Sequence, residues 1–166
     1  MTQKPASSSP RYQALLLLLE TADRVWNASR LFFARWNLSP SQFNVLNLLF
    51  TAAEGRSQIE LGRLLLMHRS NVTGLVDRLE KLGLVERRDV AGDRRVFRVV
   101  LTAKGRRLLD DVYPHYFAAS ERAWKGVADA RIQETSAALR QVAANANRAI
   151  DAGGTQEDRP IMDSTD

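Results

Sequence analysis

Apolar residues recur at a spacing of three to four along most of this chain, which predicts a mainly helical protein. The first helix is expected from Tyr12 to about Ala34. A second helix should begin after Ser39, whose hydroxyl suits the N-cap position, and Pro40 fits the first helical turn. The expected buried positions of this second helix are Phe43, Leu46, Leu49 and Phe50.

Two shorter helices are predicted next, separated by a turn at 66–69. The third runs from Gln58 to Leu65 with Ser57 as its N-cap, and its apolar positions are Ile59, Leu61, Leu64 and Leu65. The fourth runs from Ser70 to Leu82, and Gly83 follows where a left-handed residue commonly ends a helix. On a helical wheel its apolar positions fall within an arc of about 120°; they are Val72, Leu75, Val76, Leu79 and Leu82.

After these helices the hydrophobic pattern changes to that of strands. Leu84–Arg88 and Val96–Leu101 predict a hairpin whose loop contains Gly92. Thr102 is placed to cap a fifth helix, and a sixth is expected over about 129–150. The sequence therefore predicts a mainly α protein with a small β-hairpin wing.

This order of elements is that of a winged helix-turn-helix with added helices. We expect the DNA-binding winged helix over 38–102 and a helical dimerisation region over 11–37 and 103–150. The flanking helices are long and apolar on more than one face, and their exposed surface would be conspicuous on a monomer. The ends, 1–10 and the acidic 151–166, lack apolar periodicity and are expected to be disordered.

The positive charge of the chain is concentrated in one segment. The net charge is +5, but residues 56–107 hold 13 Lys and Arg against 6 Asp and Glu, and the remaining residues carry −2. A basic segment in an otherwise slightly acidic protein is expected where phosphates bind, although a solvated charged face has the same composition.

The composition also limits where the protein acts and by what chemistry. With no cysteine, disulfides and thiolate catalysis are excluded. The longest apolar run, 14–19, is too short to cross a bilayer, and 1–10 lacks the apolar core of a signal peptide. We therefore expect a cytoplasmic protein.

The polar face of the fourth helix is the expected base-reading surface. Small side chains let the helix backbone approach base edges, and Asn71 can make paired hydrogen bonds to adenine. Basic side chains at its ends suit phosphates, which carry no sequence information. The candidate DNA-binding residues here are Arg69, Ser70, Asn71, Thr73, Gly74 and Arg78. An ordinary amphipathic helix has the same pattern, so the adjoining hairpin decides the interpretation.

The hairpin carries five arginines, at positions 87, 88, 94, 95 and 98. Like charges in a short hairpin repel one another, and a phosphate-lined groove would relieve that repulsion. Arg94 or Arg95 is suited to a narrow minor groove, and Asp93 is expected to orient Arg95 by a paired hydrogen bond. The candidate contacts here are Arg88, Asp93, Arg94 and Arg95; the alternative is a charged hairpin exposed to solvent.

Taken together, the helix, the Gly-Leu-Val strand start, the Asp-Arg-Arg wing and the Leu-Thr-x-x-Gly sequence resemble the MarR family of bacterial transcriptional regulators. The matching residues are Ser70, Asn71, Thr73, Asp93, Arg94, Arg95, Leu101, Thr102 and Gly105. The resemblance implies a homodimer with interleaved terminal helices, one winged helix on each half of a near-palindromic double-stranded DNA operator, and a repressor often released by a ligand. Gly62, Leu66 and His68 depart from the family pattern, and His is a poor helix cap.

By the same resemblance, a small aromatic or phenolic effector would bind between the dimerising and DNA-binding parts. The candidate lining residues are Trp26, Arg30, Phe33, Trp36, Tyr113, His115 and Tyr116, which could instead be ordinary core.

No metal, cofactor or catalytic grouping is indicated, because only two histidines exist and neither has a cluster of ligands near it. The chain is therefore interpreted as a regulator and not an enzyme. The alternatives are an effector-independent regulator or activator, and a winged helix used as a protein-interaction module.

Overall fold

Six α-helices and one two-stranded sheet make up residues 9–90 and 93–153, the part of the chain that this computed structural model describes. The elements are α1 (Pro10–Phe33), a short 3-10 helix (Ala34–Trp36), α2 (Pro40–Phe50), α3 (Gln58–Leu65), α4 (Arg69–Lys81), β1 (Val85–Val90), β2 (Asp93–Leu101), α5 (Ala103–Ala123) and α6 (Asp129–Gly153). This confirms the predicted fold class. The chain divides into two units, Met1–Tyr116 and Phe117–Asp166.

Reciprocal hydrogen bonds define where α2 and α3 begin. At the start of α2, the Ser39 hydroxyl accepts from the Gln42 backbone N–H at 3.2 Å, and Gln42 Oε1 accepts from the Ser39 N–H at 2.8 Å. Ser57 and Glu60 repeat this arrangement at α3, at 3.2 and 2.7 Å. Each pair satisfies two N–H groups that the helix itself cannot, so the predicted N-caps are confirmed.

The core of the first unit lies where α1 to α5 and the hairpin meet. Its most buried side chains include Phe43, Leu46, Leu49, Leu61, Val72, Val76, Leu79, Val99, Leu109 and Val112. Two positions that were predicted to be buried are not. Phe50 is half-buried at the rim, where it packs edge-on against Tyr113, and Leu82 is 42% exposed because α4 ends at Lys81 and the chain turns away.

Only one edge of α3 is buried. Leu61 and Gly62 face the core, whereas Ile59 and Leu64 are 56% and 51% exposed. The residue after the helix, Leu66, adopts a left-handed conformation (φ 52°, ψ 42°) with its side chain in solvent. The tight turn between α3 and α4 therefore contains a strained leucine where glycine is usual.

The wing is an antiparallel hairpin in which Val85 pairs with Leu101, Arg87 with Val99 and Arg88 with Arg98. The register shifts between Asp89 and Val90, near the tip. On the other side of β2, Arg56 forms a single bridge with Val99, with backbone hydrogen bonds of 3.0 and 2.8 Å. The apolar face of the hairpin, with Val85 and Val99, completes the core.

The N-terminus of α5 is attached closely to the start of the wing. The Thr102 hydroxyl donates to the Gly83 carbonyl at 2.7 Å and accepts from the Gly105 N–H at 3.0 Å, so it caps the helix as predicted. Gly105 is buried against the Leu84 carbonyl. From there α5 continues through Pro114 to Ala123.

The second unit comprises the end of α5, a turn with Gly126 at φ +85°, and α6. It carries exposed apolar residues, among them Val127, Leu139 and Val142. Along the described part of the chain, every helix is too short or too polar to cross a membrane.

Candidate nucleic-acid interface

The outer face of α4 forms one wall of a shallow groove of about 320 Å³. Four of the predicted DNA-binding residues line it, Ser70, Asn71, Gly74 and Arg78, together with Ser41, Met67 and Leu75. Val72, Val76 and Leu79 on the opposite face are completely buried, so the helix presents its polar side outward. The predicted division of α4 into two faces is therefore confirmed.

Gly74 lines this groove without a side chain of its own. A Cβ added there would lie 3.5 Å from the Arg78 guanidinium, which folds back along the helix. An added Cβ would thus make only an ordinary van der Waals contact with the arginine. Ser41 was not predicted for this surface, because only tertiary packing brings the first turn of α2 beside α4, and Met67, in the turn before α4, was not predicted either.

His68 caps α4 despite its low intrinsic preference. Its Nδ1 accepts from the Ser70 backbone N–H at 3.4 Å and lies 2.9 Å from the Ser70 hydroxyl. The imidazole therefore occupies the place of the usual serine or aspartate cap. This keeps Ser70 at the exposed end of the helix, where recognition helices approach bases.

Thr73 is less free than the sequence indicated. Its hydroxyl lies 3.0 Å from both Gln58 Oε1 and the Arg69 carbonyl oxygen, either of which can accept its proton. The hydroxyl thus links α4 to α3. Arg69 is exposed and lines a separate apolar cavity of about 290 Å³ beside α3.

Two of the five wing arginines, neither of them among the candidate DNA contacts, are paired within the protein. Arg87 is paired with Asp77 and Glu80 of α4. Arg98 donates to the Gly55 carbonyl at 2.8 Å. Both arginines therefore have partners within their own unit, which reduces the repulsion among the wing charges.

Arg88 remains on the exposed side of the wing. Its side chain is 63% exposed and pairs with Glu86 at 2.6 Å on the same strand. A surface pair of this kind is weak and can exchange for a phosphate. Asp93, Arg94 and Arg95 belong to β2 by their backbone, but the side chains of 90–96 lie outside the described residues, as does the expected Asp93–Arg95 pair.

Five of the seven predicted effector residues gather in one aromatic cluster within the first unit. Phe33 stacks on Phe43 with ring centroids 4.2 Å apart, and Tyr116 lies 4.9 Å from Phe43. Trp36 and His115 are 5.6 Å apart. The cluster comprises Phe32, Phe33, Trp36, Phe43, Phe50, Tyr113, His115 and Tyr116. Trp26 and Arg30 lie on exposed positions of α1.

Polar groups border this aromatic cluster. The Trp36 indole N–H donates to Asp111 Oδ2 at 2.6 Å, and the Tyr113 hydroxyl donates to Asn47 Oδ1 at 2.8 Å. Burial, and secondarily the Asp110 carboxylate, raise the pKa of Tyr113. No group of His, Asp and Glu side chains suited to a metal ion occurs among those that the structure describes, at residues 9–89 and 97–148.

The helix pair α3–α4, the hairpin and the capped α5 define a winged helix-turn-helix protein. A family model described as MarR family matches residues 36–96. The HTH-type transcriptional regulator MhqR of Bacillus subtilis is 30% identical over 111 residues, which cover 67% of this chain and 76% of MhqR. The chain therefore belongs to the MarR family, whose members are transcriptional regulators and not enzymes.

Two further proteins extend the comparison. The HTH-type transcriptional repressor YetL of B. subtilis is 31% identical over 107 residues, 64% of each chain. CouR from Rhodococcus jostii RHA1, solved with p-coumaroyl-CoA bound, is 30% identical with a TM-score of 0.73, over 84% of this chain and 96% of CouR. The chain spans only 57% to 64% of the length of several curated relatives.

Proposed function

We propose that this chain is a sequence-specific regulator of transcription that binds double-stranded DNA through α4 and the wing. The observation that carries the proposal is the groove on α4, which is open, polar and lined by Ser70, Asn71, Gly74 and Arg78. The buried apolar face of α4 is enough to anchor the helix in the fold. The small and hydrogen-bonding residues on its outer face are therefore not needed for folding. The positive charge of residues 56–107 supplies the attraction to phosphate.

The active form is proposed to be a homodimer on a near-palindromic operator. Support comes from α1, where Leu15, Leu16, Leu19 and Val25 are each about half exposed, between 47% and 57%. Apolar surface on this scale needs a partner in water. Two-fold symmetry of the protein would then match two-fold symmetry of the DNA site.

Repression and release by a small aromatic or phenolic effector complete the proposal. YetL is described as a repressor, CouR was solved with p-coumaroyl-CoA bound, and both are similar to this chain. The aromatic cluster supplies the π faces that would contact such a molecule. An effector would act by favouring a dimer whose two recognition helices no longer match successive major grooves.

The first experiment is a titration of the protein against duplex DNA from upstream of its own gene, with scrambled DNA as competitor, at several salt concentrations. Selective binding by two subunits per site that weakens steeply with salt is the expected result. Equal, weak binding to both DNAs would contradict an operator at that location. Absence of binding at low salt would refute the DNA-binding function and favour a protein-interaction module.

Asn71→Ala tests base reading directly. Loss of paired hydrogen bonds to a base should cost about 1–3 kcal/mol of operator affinity and leave binding to scrambled DNA nearly unchanged. The measurement is the ratio of the two dissociation constants. Equal losses of affinity for operator and scrambled DNA would mean that Asn71 does not contact bases.

Arg95→Ala tests the wing. Removal of one phosphate or minor-groove contact should weaken binding to all DNA and reduce the salt slope by about one unit, while self-association stays the same. The slope is measured from binding at four or more salt concentrations. An unchanged affinity and slope would remove Arg95 from the interface.

A further inference from the structure

Arg87 lies between the proposed recognition helix and the wing and contacts both. Its backbone N–H donates to Glu80 Oε1 at 3.2 Å. Its guanidinium donates to Glu80 Oε2 and, at 2.5 Å, to Asp77 Oδ1. Asp77 and Glu80 are three residues apart and so lie on one face of α4. Charge-assisted hydrogen bonds of this kind are about twice as strong as neutral ones and are directional.

The same guanidinium reaches the second strand. Its central carbon lies 5.3 Å from the centroid of the Phe97 ring, a distance typical of a cation–π contact. One side chain therefore joins α4, β1 and β2. We refer to Arg87, Asp77, Glu80 and Phe97 as the wing clamp.

The position of the clamp excludes Arg87 from a simple phosphate contact. Its side chain is only 23% exposed, against 63% for its neighbour Arg88 on the opposite face of β1. Both of its terminal guanidinium nitrogens donate to carboxylates. Arg87 therefore acts on its own domain.

Two roles are open to such a residue. It could neutralise Asp77 and Glu80, which are 48% and 38% exposed beside the DNA-facing groove and would repel phosphate. Alternatively, it could hold the hairpin at a fixed angle to α4. The backbone hydrogen bond from β1 to Glu80 and the contact with Phe97 favour the second role, because neutralisation requires neither.

We infer that Arg87 is a positioning residue for DNA binding, whose clamp sets the wing relative to α4 so that both reach their grooves in one half-site. This inference rests on the proposed function. A wing already held in place loses little freedom on binding, whereas a released wing must be ordered at the cost of affinity.

The two roles predict opposite signs for one variant. Combining Asp77→Asn, Glu80→Gln and Arg87→Gln removes the clamp and makes the cluster more positive by one charge. If Arg87 only neutralises carboxylates, this triple variant binds operator DNA at least as tightly as the wild type. If it positions the wing, operator affinity falls by about tenfold, with a smaller loss on scrambled DNA.

Arg87→Lys provides an independent test that keeps every charge. A lysine retains the attraction but not the planar fork that spans both carboxylates. Positioning predicts a loss of operator affinity for Arg87→Lys as well, whereas neutralisation predicts wild-type affinity. This single change remains informative if the triple variant does not fold.

Hydrogen exchange without DNA supplies a readout that does not depend on binding. Loss of the clamp should accelerate amide exchange in β1 and β2 while α2 stays protected. Arg88→Gln is the matched control on the same strand, and it should lower the salt slope of DNA binding without changing exchange in the hairpin. On DNA, the clamp variants should lose protection of the minor groove beside each half-site and keep protection of the major groove.

Wild-type affinity in both Arg87→Lys and the triple variant would overturn the positioning role while leaving the proposed function intact. Failure of the wild-type protein to distinguish operator from scrambled DNA would instead refute the proposed function. Loss of affinity with unchanged exchange in the hairpin would also count against the clamp.

Discussion

Replacement of Gly105 by alanine tests how closely α5 is joined to the winged helix. A Cβ at this position would lie 2.1 Å from the Leu84 carbonyl oxygen and 3.1 Å from a methyl group of Leu101. Carbon and oxygen normally approach to about 3.3 Å, so the helix or the chain at Leu84 must move by about 1 Å. The obstacle is backbone, which cannot rotate aside as a side chain would.

The magnitude follows from what such a movement would disturb. The Thr102 N–H donates to the same Leu84 carbonyl at 3.1 Å, and loss of that hydrogen bond costs about 1 kcal/mol. Overpacking adds about 1–3 kcal/mol. Alanine is intrinsically the better helix former by about 0.5–1 kcal/mol, which acts in the opposite direction. The expected net loss is about 2 kcal/mol in the free energy of unfolding.

Urea unfolding followed by circular dichroism at 222 nm measures this loss, at one fixed protein concentration because self-association would alter the apparent stability. Gly126→Ala is the matched control. Gly126 has φ +85° and no atom within 4 Å of an added Cβ, so only backbone strain of about 1 kcal/mol is expected. A Gly105→Ala protein as stable as the wild type would refute the close-approach argument, since helix propensity would then have outweighed it.

Two further changes test local features of the α3–α4 pair. Leu66→Gly should raise the free energy of unfolding by about 0.5 kcal/mol, because relief of the strain at the left-handed leucine exceeds the entropy that glycine adds to the unfolded chain. Leu64→Gly, the control in regular helix, should lower the free energy of unfolding by about 1 kcal/mol. Equal effects of the two changes would show that Leu66 is not strained. Hydrogen bonds from the Ser57 backbone and hydroxyl lower the pKa of Glu60, so its stabilisation is complete above the unfolded pKa of about 4.3 and is lost as the pH falls through the folded value. The stability difference between wild type and Glu60→Gln, measured by urea unfolding at pH 7, 5 and 3.5, should shrink with falling pH, and a constant difference would exclude a role for this titration.

Local sequence features predicted most of the fold because they act over a few residues. Ser39 and Ser57 mark the starts of α2 and α3, because each side chain accepts a hydrogen bond from the backbone N–H three residues later. Gly83 follows the end of α4, where a φ of +70° disfavours most side chains. The strands were predicted shorter than they are, since near the tip β1 carries charged side chains on both faces and the apolar alternation is lost there. The apolar and polar faces of α4 were predicted correctly because they depend only on the spacing of residues within one helix.

Sequence alone thus determined the order of elements, the helix caps, the polar face of α4 and the family, because these depend on short-range spacing and on motifs within one segment. Tertiary structure decided which charged groups remain available. Arg87 and Arg98 look like Arg88 in the sequence. Yet Asp77 and Glu80 lie on a different element from Arg87, and the Gly55 carbonyl is 43 residues from Arg98, so these partners meet only in the folded chain. Packing likewise placed Ser41 beside Asn71 and gathered the rings of α1, α2 and α5, since side-chain partners across elements depend on the angles at which those elements pack.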